Sequence, residues 1–191
     1  MKLCSVYDEA FSAYGRVAGG VPVEALLNAV KKRPMGAEPA YFPREETLHA
    51  VTEFESWGEA FFGGLPYELG YCTAIRAGSV EALVWHQGSG LYAGAQDFIL
   101  PLALRADMKD GVVSADKVRL FRVPAGVALE VYGPTLRGAP QPCGGETRVL
   151  ICLPYATNTE FTPAIRANAV DERLIARNTW KAALDRPVAI D

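Results

Sequence analysis

Histidine is scarce in this chain, and its cysteines lie far apart. Only two histidines occur among 191 residues, and none of the four cysteines belongs to a C-x-x-C pair. A zinc-finger pattern, which needs such ligands at short spacing, is therefore excluded. The sequence also lacks a leader-like apolar segment ahead of Cys4. We therefore expect reduced thiols and a cytoplasmic protein, because disulfides persist mainly in oxidising compartments.

Basic patches and long apolar runs are missing as well. The formal net charge is -3 and the basic residues are scattered, which argues against nucleic acid as a partner. No apolar run approaches the roughly 18 residues of a membrane helix, so we expect no membrane partner. The sequence contains neither a glycine-rich phosphate loop nor a G-x-S-x-G elbow, the marks of nucleotide-binding proteins and serine hydrolases.

The chain does have enough apolar residues for one sizeable domain. Half of its residues are apolar, which suffices for a core without disulfides. Apolar residues from Val23 to Val30 recur at helical spacing after Pro22, and Pro34 ends that pattern. Residues 34–43 are rich in proline, glycine and alanine and indicate a loop. Residues 170–184 are weakly amphipathic, and we expect a second helix there.

Residues 60–154 carry a different pattern, in which short strand-like runs alternate with glycine- and proline-rich turns. Such runs, without intervening helices, predict a mainly β sandwich or barrel rather than a parallel α/β sheet. We therefore expect a single domain, residues 1–191, made of an N-terminal helix-containing arm (1–59), a β-barrel (60–154) and a C-terminal helical tail (155–191). The predicted strands are Glu68–Thr73, Val80–Gln87, Asp97–Leu104, Val118–Val123, Ala128–Tyr132 and Thr147–Leu153.

Several short motifs are spread over nearly the whole chain. They are KLCSVYD (2–8), FGGLP (62–66), GYC (70–72), VPAG (123–126), LP (153–154), TNT (157–159) and ARNTW (176–180). In order and spacing they resemble a bacterial family catalogued as a domain of unknown function, with a fold similar to RmlC-like cupins. The resemblance implies a cupin-like double-stranded β-helix, a jelly-roll barrel, to which the residue patterns add an N-terminal and a C-terminal helix. Cupins of this kind include sugar isomerases and lyases, and they commonly form homodimers.

The resemblance also implies a site for Zn, Mn, Fe or Ni, built from histidines and a glutamate. His86 matches the first ligand, whereas the expected glutamate and second histidine fall on Gly90 and Arg137. Glycine has no ligand atom, and the guanidinium is a permanent cation. We therefore expect no cofactor and keep a divalent metal at His86 as the alternative. A second alternative is that His86 is a hydrogen-bonded core residue without a ligand.

Arg137 changes the chemistry that the resemblance implies. If it faces inward with His86, the site binds an anion, because a guanidinium pairs bidentately with a carboxylate or phosphate. The alternative is that residues 133–143 form an exposed loop in which Arg137 is solvated. Glu68 shares a strand face with Cys72, and the resemblance implies that this strand lines the pocket. Glu68 would then form an acid–base pair with His86. A solvent-facing Glu68 is the other interpretation.

Four further residues are candidate substrate contacts. Tyr71, Trp85 and Tyr132 would form pocket walls against a sugar ring, or would simply pack in the core. Asp97 opens a predicted strand and would be either a pocket residue or a hydrogen-bonded structural carboxylate.

Three functions remain open. The first is a cupin-type isomerase, epimerase or lyase acting on a small sugar or sugar acid. The second is a metal-free, non-catalytic cupin that binds a small molecule such as an anionic sugar. The third is a structural subunit that packs as a homodimer. A filled barrel would favour the third, and a cavity lined by Arg137, His86 and aromatic residues would favour the second.

Overall fold

The computed structural model describes residues 2–190, in which two facing β-sheets make up most of the regular structure. The helices are α1 (Glu24–Lys31), α2 (Glu46–His49), α3 (Glu55–Phe61) and α4 (Pro163–Ala167). The strands are β1 (Leu3–Ser5), β2 (Gly15–Val17), β3 (Ala40–Phe42), β4 (Tyr67–Ala74), β5 (Ser79–Trp85), β6 (Gly90–Gly94), β7 (Phe98–Leu104), β8 (Val112–Val113), β9 (Arg119–Val123), β10 (Ala128–Val131), β11 (Thr135–Arg137), β12 (Gln141–Pro142), β13 (Thr147–Pro154), β14 (Leu174–Ala176) and β15 (Thr179–Ala189).

Successive strands of the barrel alternate between the two sheets. The large sheet has the order β1-β9-β7-β11-β5-β15-β14, with β12 beside β7 and β8 beside β15. The small sheet has the order β2-β10-β6-β13-β4-β3. The chain therefore crosses from β4 to β5, from β5 to β6 and from β6 to β7 between sheets, as in a double-stranded β-helix. The predicted mainly β jelly-roll barrel is confirmed.

Each sheet is apolar on both faces, because successive side chains of a strand point to opposite sides. Between the sheets lies an inner core that includes Phe98, Phe121 and Ile151. On the outer face of the small sheet, α1 packs through Leu26 and Val30, which share one helical face. The outer face of the large sheet carries a third cluster, to which β15 contributes.

The six strands predicted from the sequence correspond to β4, β5, β7, β9, β10 and β13, with small shifts at their ends. The predicted helix after Pro22 corresponds to α1. The strands that were not predicted include β3, which lies within the expected loop at 34–43, and β6, which lies between two predicted strands. The N-terminal arm also contributes strands, since β1 pairs with β9, β2 with β10 and β3 with β4.

The helix predicted over residues 170–184 is wrong. This segment contains β14 and the first part of β15, and β15 pairs antiparallel with β5, with Trp180 opposite Trp85. Alanine, lysine and leucine favour a helix in isolation, but pairing with the edge of a sheet overrides such weak preferences. The helix of the C-terminal tail is the short α4, which precedes this hairpin. Across residues 2–190, none of the helices has the length and apolarity to cross a bilayer.

Candidate functional site

A cavity of about 280 Å³ lies between the two sheets, so the barrel is not filled by its own side chains. Most of its walls are apolar or aromatic, and a few polar side chains point into it. Strands of both sheets, the residue after β5 and the loop after β13 contribute to the lining. The lining residues are Tyr41, Cys72, Ala82, Val84, His86, Tyr92, Arg137, Gly138, Ala139, Pro140, Ile151, Leu153 and Asn158.

Arg137 is a buried cation in this cavity. It ends β11 opposite Val84 of β5, and it is only 2% exposed, so the alternative of a solvated loop residue is excluded. Its Nη2 donates to the carbonyl of Tyr132 at 2.9 Å, and its Nε donates to the carbonyl of Thr135 at 3.3 Å. Its Nη1 lies 3.4 Å from the hydroxyl of Tyr92.

These partners are all neutral. Within residues 2–190, no carboxylate forms an ion pair with Arg137. Burying a charge without a counter-charge costs several kcal/mol, and neutral carbonyls offset only part of that cost. An anion that enters the cavity would supply the missing charge.

His86 follows β5 directly and shares the inner face with Ala82 and Val84. It is 3% exposed, and in the described part of the chain neither ring nitrogen has a hydrogen-bond partner. Burial, and after it the charge of Arg137, lowers the pKa of His86 to about 3, against an opposing effect of Asn158. The ring is therefore neutral near pH 7, and it offers one donor and one acceptor to the cavity.

Tyr41 and Asn158 were not found by sequence reasoning. Tyr41 lies on β3 opposite Cys72, and its buried hydroxyl has no partner among the described residues. Burial raises its pKa above the usual range, against an opposing effect of Asn158. Asn158, in the loop after β13, lines the same cavity as Tyr41 and His86 and lies close enough to affect the pKa of both. Its Thr-Asn-Thr motif was visible in the sequence, whereas Tyr41 fell in an expected loop and gave no signal.

Glu68 is buried on the inner face of β4, but it does not line the cavity. Its Oε2 accepts a hydrogen bond from the backbone N–H of Ala156 at 2.9 Å, and its Oε1 has no partner within the described chain. Burial raises the pKa of this carboxyl. The expected pairing of Glu68 with His86 as acid and base is therefore not what the geometry shows. Glu68 instead holds the loop that carries Asn158.

Tyr71 and Trp85 lie on the faces of their strands that point away from the cavity. Tyr71 packs under the helices of the small sheet and stacks on Phe42, with ring centroids 4.6 Å apart. Trp85 stacks on Trp180 at 6.0 Å on the outer side of the large sheet. Both side chains are core residues of outer layers, so neither can form a wall against a ligand inside the barrel.

Tyr132 and Asp97 also lie outside the cavity lining. Tyr132 contacts the site only through its backbone carbonyl, which accepts from Arg137. The carboxylate of Asp97 pairs with Arg122 at 2.7 Å and accepts from the backbone N–H of Ala125 at 2.8 Å. Of its two interpretations, the geometry favours the structural one, in which Asp97 braces the turn between β9 and β10.

The donor set here does not fit a divalent metal. Within residues 2–190, no three His, Cys, Asp or Glu side chains converge on one point. Arg137, which stands at an expected ligand position, is a cation and would repel a metal ion. Burial raises the pKa of the nearby Cys72 thiol to about 12, so it is not a thiolate ligand.

Comparison with known proteins identifies a sequence family. A family model described as "Domain of unknown function (DUF4867)" matches residues 3–189. No curated protein sequence matches the chain.

Solved structures that are similar to part of this chain include the following three. The oxalate decarboxylase of Bacillus subtilis, in a study of its Mn(II) centres, is 11% identical over 65% of this chain and 28% of its own, with a TM-score of 0.37. The formate complex of the Lactobacillus farciminis oxalate decarboxylase is 12% identical over 63% and 30%, with a TM-score of 0.38. The polyketide cyclase RemF of Streptomyces resistomycificus is 14% identical over 64% and 69%, with a TM-score of 0.36. The chain spans less than a third of the decarboxylase chains, and similarity at this level does not extend to their metal or substrate.

Proposed function

The chain belongs to the family described as "Domain of unknown function (DUF4867)", and we propose that it binds a small organic anion in its barrel cavity through Arg137. One observation carries this proposal. Arg137 is 2% exposed, and its guanidinium faces only neutral acceptors in residues 2–190. Nε and both N–H groups of Nη2 already donate to the carbonyls of Thr135, Tyr132 and Gly133. A carboxylate or phosphate would compensate the charge and accept from the remaining N–H of Nη1. In this proposal the chain is a divergent cupin of the RmlC-like type, with an arginine in place of a metal ligand.

The size and lining of the cavity limit the ligand. At about 280 Å³ the cavity is at the lower end of the range of small-molecule sites, roughly 300–1,000 Å³. Ala82, Val84, Ile151 and Leu153 form apolar walls against which a carbon skeleton can pack. A small sugar acid, with its carboxylate at Arg137, is the ligand that we favour within this class.

A non-catalytic binding role accounts for the site better than an isomerase, epimerase or lyase activity. With a pKa of about 3, His86 is a weak base near pH 7. Glu68 is engaged with the backbone of Ala156 and does not line the cavity. The enzyme alternative rests on the two ring nitrogens of His86, which have no partner in residues 2–190. We also propose that the protein forms a homodimer and is located in the cytoplasm.

Isothermal titration calorimetry tests the anion site with a matched pair of ligands. D-Glucuronate and D-glucose differ mainly in the carboxylate, so only glucuronate should bind. Arg137→Met should weaken its binding by at least about 30-fold, which corresponds to the 2–5 kcal/mol typical of a buried charged contact. Arg76→Met is the matched control, because it removes the same charge from a side chain that is 75% exposed. Equal affinity of the wild-type protein and Arg137→Met would contradict the proposal.

A further inference from the structure

The loop after β13 has an unusual backbone. Ala156 and Asn158 both adopt the left-handed region, with φ of 63° and 64°. Residues other than glycine rarely do so, and alanine has no side-chain group that would compensate. Such a conformation persists only where the surroundings hold it in place. The contacts of this loop therefore indicate what it positions.

Two motifs without an assigned role meet at this loop. The backbone N–H of Asn158 donates to the carbonyl of Arg177 at 3.0 Å, and its Oδ1 accepts from the hydroxyl of Thr179 at 2.8 Å. The side-chain nitrogen of Asn178 donates to the hydroxyl of Thr157 at 2.9 Å. The Thr-Asn-Thr loop and the Arg-Asn-Thr turn thus hold each other through side chains as well as backbone.

Two further contacts hold this region, one between Glu68 and the loop and one between Asn178 and the residue that follows His86. Glu68 fixes the backbone N–H of Ala156 at 2.9 Å. Asn178 accepts from the backbone N–H of Gln87 at 2.9 Å and donates to its carbonyl at 3.1 Å, directly after His86. The position of His86 and that of the Asn158 loop are therefore tied to the same turn.

These anchors fix the direction of the Asn158 amide. Because Thr179 occupies Oδ1, the amide nitrogen is the part of the side chain that remains to donate into the cavity. The hydroxyl of Tyr41 and both ring nitrogens of His86 lie close by, buried and without partners among residues 2–190. Buried polar groups are normally hydrogen-bonded, so three such atoms in one cavity point to a polar ligand group that forms hydrogen bonds with them.

We infer that Tyr41, His86 and Asn158 form a neutral hydrogen-bonding subsite that receives a hydroxyl or carbonyl oxygen of the ligand. The cavity would thereby select hydroxylated acids over aliphatic acids of the same chain length. This inference rests on the proposed function, in which Arg137 holds the carboxylate of the same ligand. A hydroxyl group both donates and accepts, as do the tyrosine hydroxyl and the neutral imidazole, and it can accept from the amide. An aliphatic acid would leave these atoms unpaired, and sites of this kind discriminate strongly against the ligand that lacks the group.

Calorimetry with two acids of six carbons tests this subsite. D-Gluconate carries a hydroxyl on every carbon other than the carboxyl carbon, and hexanoate carries none. Tyr41→Phe removes only the buried oxygen and should weaken gluconate binding about 5- to 10-fold, the usual effect of one hydrogen bond, while hexanoate changes less than about twofold. Thr179→Val, which removes the donor that orients Asn158, should act in the same direction. Tyr155→Phe is the control, since the hydroxyl of Tyr155 bonds to Arg44 outside the cavity.

The outcomes separate this inference from the proposed function. An equal change for both acids in Tyr41→Phe, or unchanged gluconate binding, would overturn the subsite and leave the Arg137 site standing. Failure of both acids to bind, or binding that Arg137→Met does not weaken, would overturn the proposed function and this inference with it. Near-ultraviolet circular dichroism of each variant establishes that the barrel is folded.

Discussion

Gly90 leaves the space that the guanidinium of Arg137 fills. A methyl group at position 90 would lie 3.0 Å from Nη1 of Arg137 and 2.7 Å from Cδ2 of Leu153. Contacts this short would force the arginine or the leucine to move. Two of the three positions at which the family resemblance implied metal ligands therefore form one unit in this chain, in which a glycine accommodates a buried cation.

Gly90→Ala should weaken binding of glucuronate about 10-fold, because the new methyl group would displace Nη1 of Arg137, the nitrogen left to donate to the carboxylate. Overpacking should also destabilise the barrel by about 1–3 kcal/mol. Calorimetry and urea denaturation measure the two effects. Gly19→Ala is the control, since a methyl group at that position meets nothing within 4 Å. Wild-type affinity in Gly90→Ala would show that the arginine does not depend on this space.

Arg137→Met should not destabilise the ligand-free protein. The side chain buries a charge that no carboxylate of residues 2–190 balances, and methionine fills similar space without that cost. We expect the variant to unfold at the same or a higher urea concentration than the wild-type protein. Added gluconate should raise the melting temperature of the wild-type protein only, because stabilisation by a ligand requires binding to the folded state. A variant that is several kcal/mol less stable would instead assign Arg137 a structural role.

The burial of His86 should make the protein sensitive to acid. Its pKa falls from the usual 6.5 to about 3 on folding, so between these values the unfolded chain binds more protons than the folded one. Stability should therefore decrease as the pH falls from 6.5 towards 3, by at most about 1.4 kcal/mol per pH unit from this group. In urea titrations at pH 7, 6, 5 and 4, His86→Gln should lose less stability than the wild-type protein. Parallel losses would show that His86 is not the group responsible.

Local patterns in the sequence were sufficient to predict most of the barrel. The strand β4 and its neighbours have apolar residues on both faces, and Gly and Pro turns separate them, so their runs and ends stand out. Arg137 lies on β11, which was not a predicted strand, so its inward position was expected only from the family resemblance. The inner face of β5 could be anticipated from alternation, and it carries His86 to the cavity. These features depend on alternation within a few residues, which a single sequence records directly.

The parts that could not be predicted depend on contacts between distant segments. Tyr41 reaches the cavity only because β3 pairs with β4, which begins more than twenty residues later in the chain. Asn158 faces the cavity because a turn near residue 178 and the carboxylate of Glu68 hold its loop. Neither contact has a signal at the level of composition or spacing, so the roles of Tyr41 and Asn158 could not be predicted from the sequence, whereas His86 was a predicted site residue.

Glu68 should act on the Asn158 loop rather than on a ligand. Glu68→Ala removes the acceptor of the Ala156 N–H and should cost about 1–3 kcal/mol of stability. Amide hydrogen exchange should also rise in residues 155–159. Glu68→Gln keeps an oxygen at this position and should retain most of the protection. Burial raises the pKa of Glu68, so its ionised form costs stability as the pH rises, and the glutamine variant should gain relative stability at higher pH. Unchanged exchange in Glu68→Ala would contradict the anchoring role.

Two substitutions at neighbouring positions of β15 test whether this segment is a strand rather than the predicted C-terminal helix. Ala182 lies opposite Leu83 of β5 and is 0% exposed, whereas the next residue, Ala183, is exposed. Because neighbours in a strand face opposite sides, Ala182→Glu buries a carboxylate and should cost about 3 kcal/mol or more. Ala183→Glu places the same group in water and should change stability by less than about 0.5 kcal/mol. In a helix the two positions lie about 100° apart around the axis, so their costs would differ less. Urea denaturation of the two variants measures this difference, and similar costs at both positions would contradict the strand.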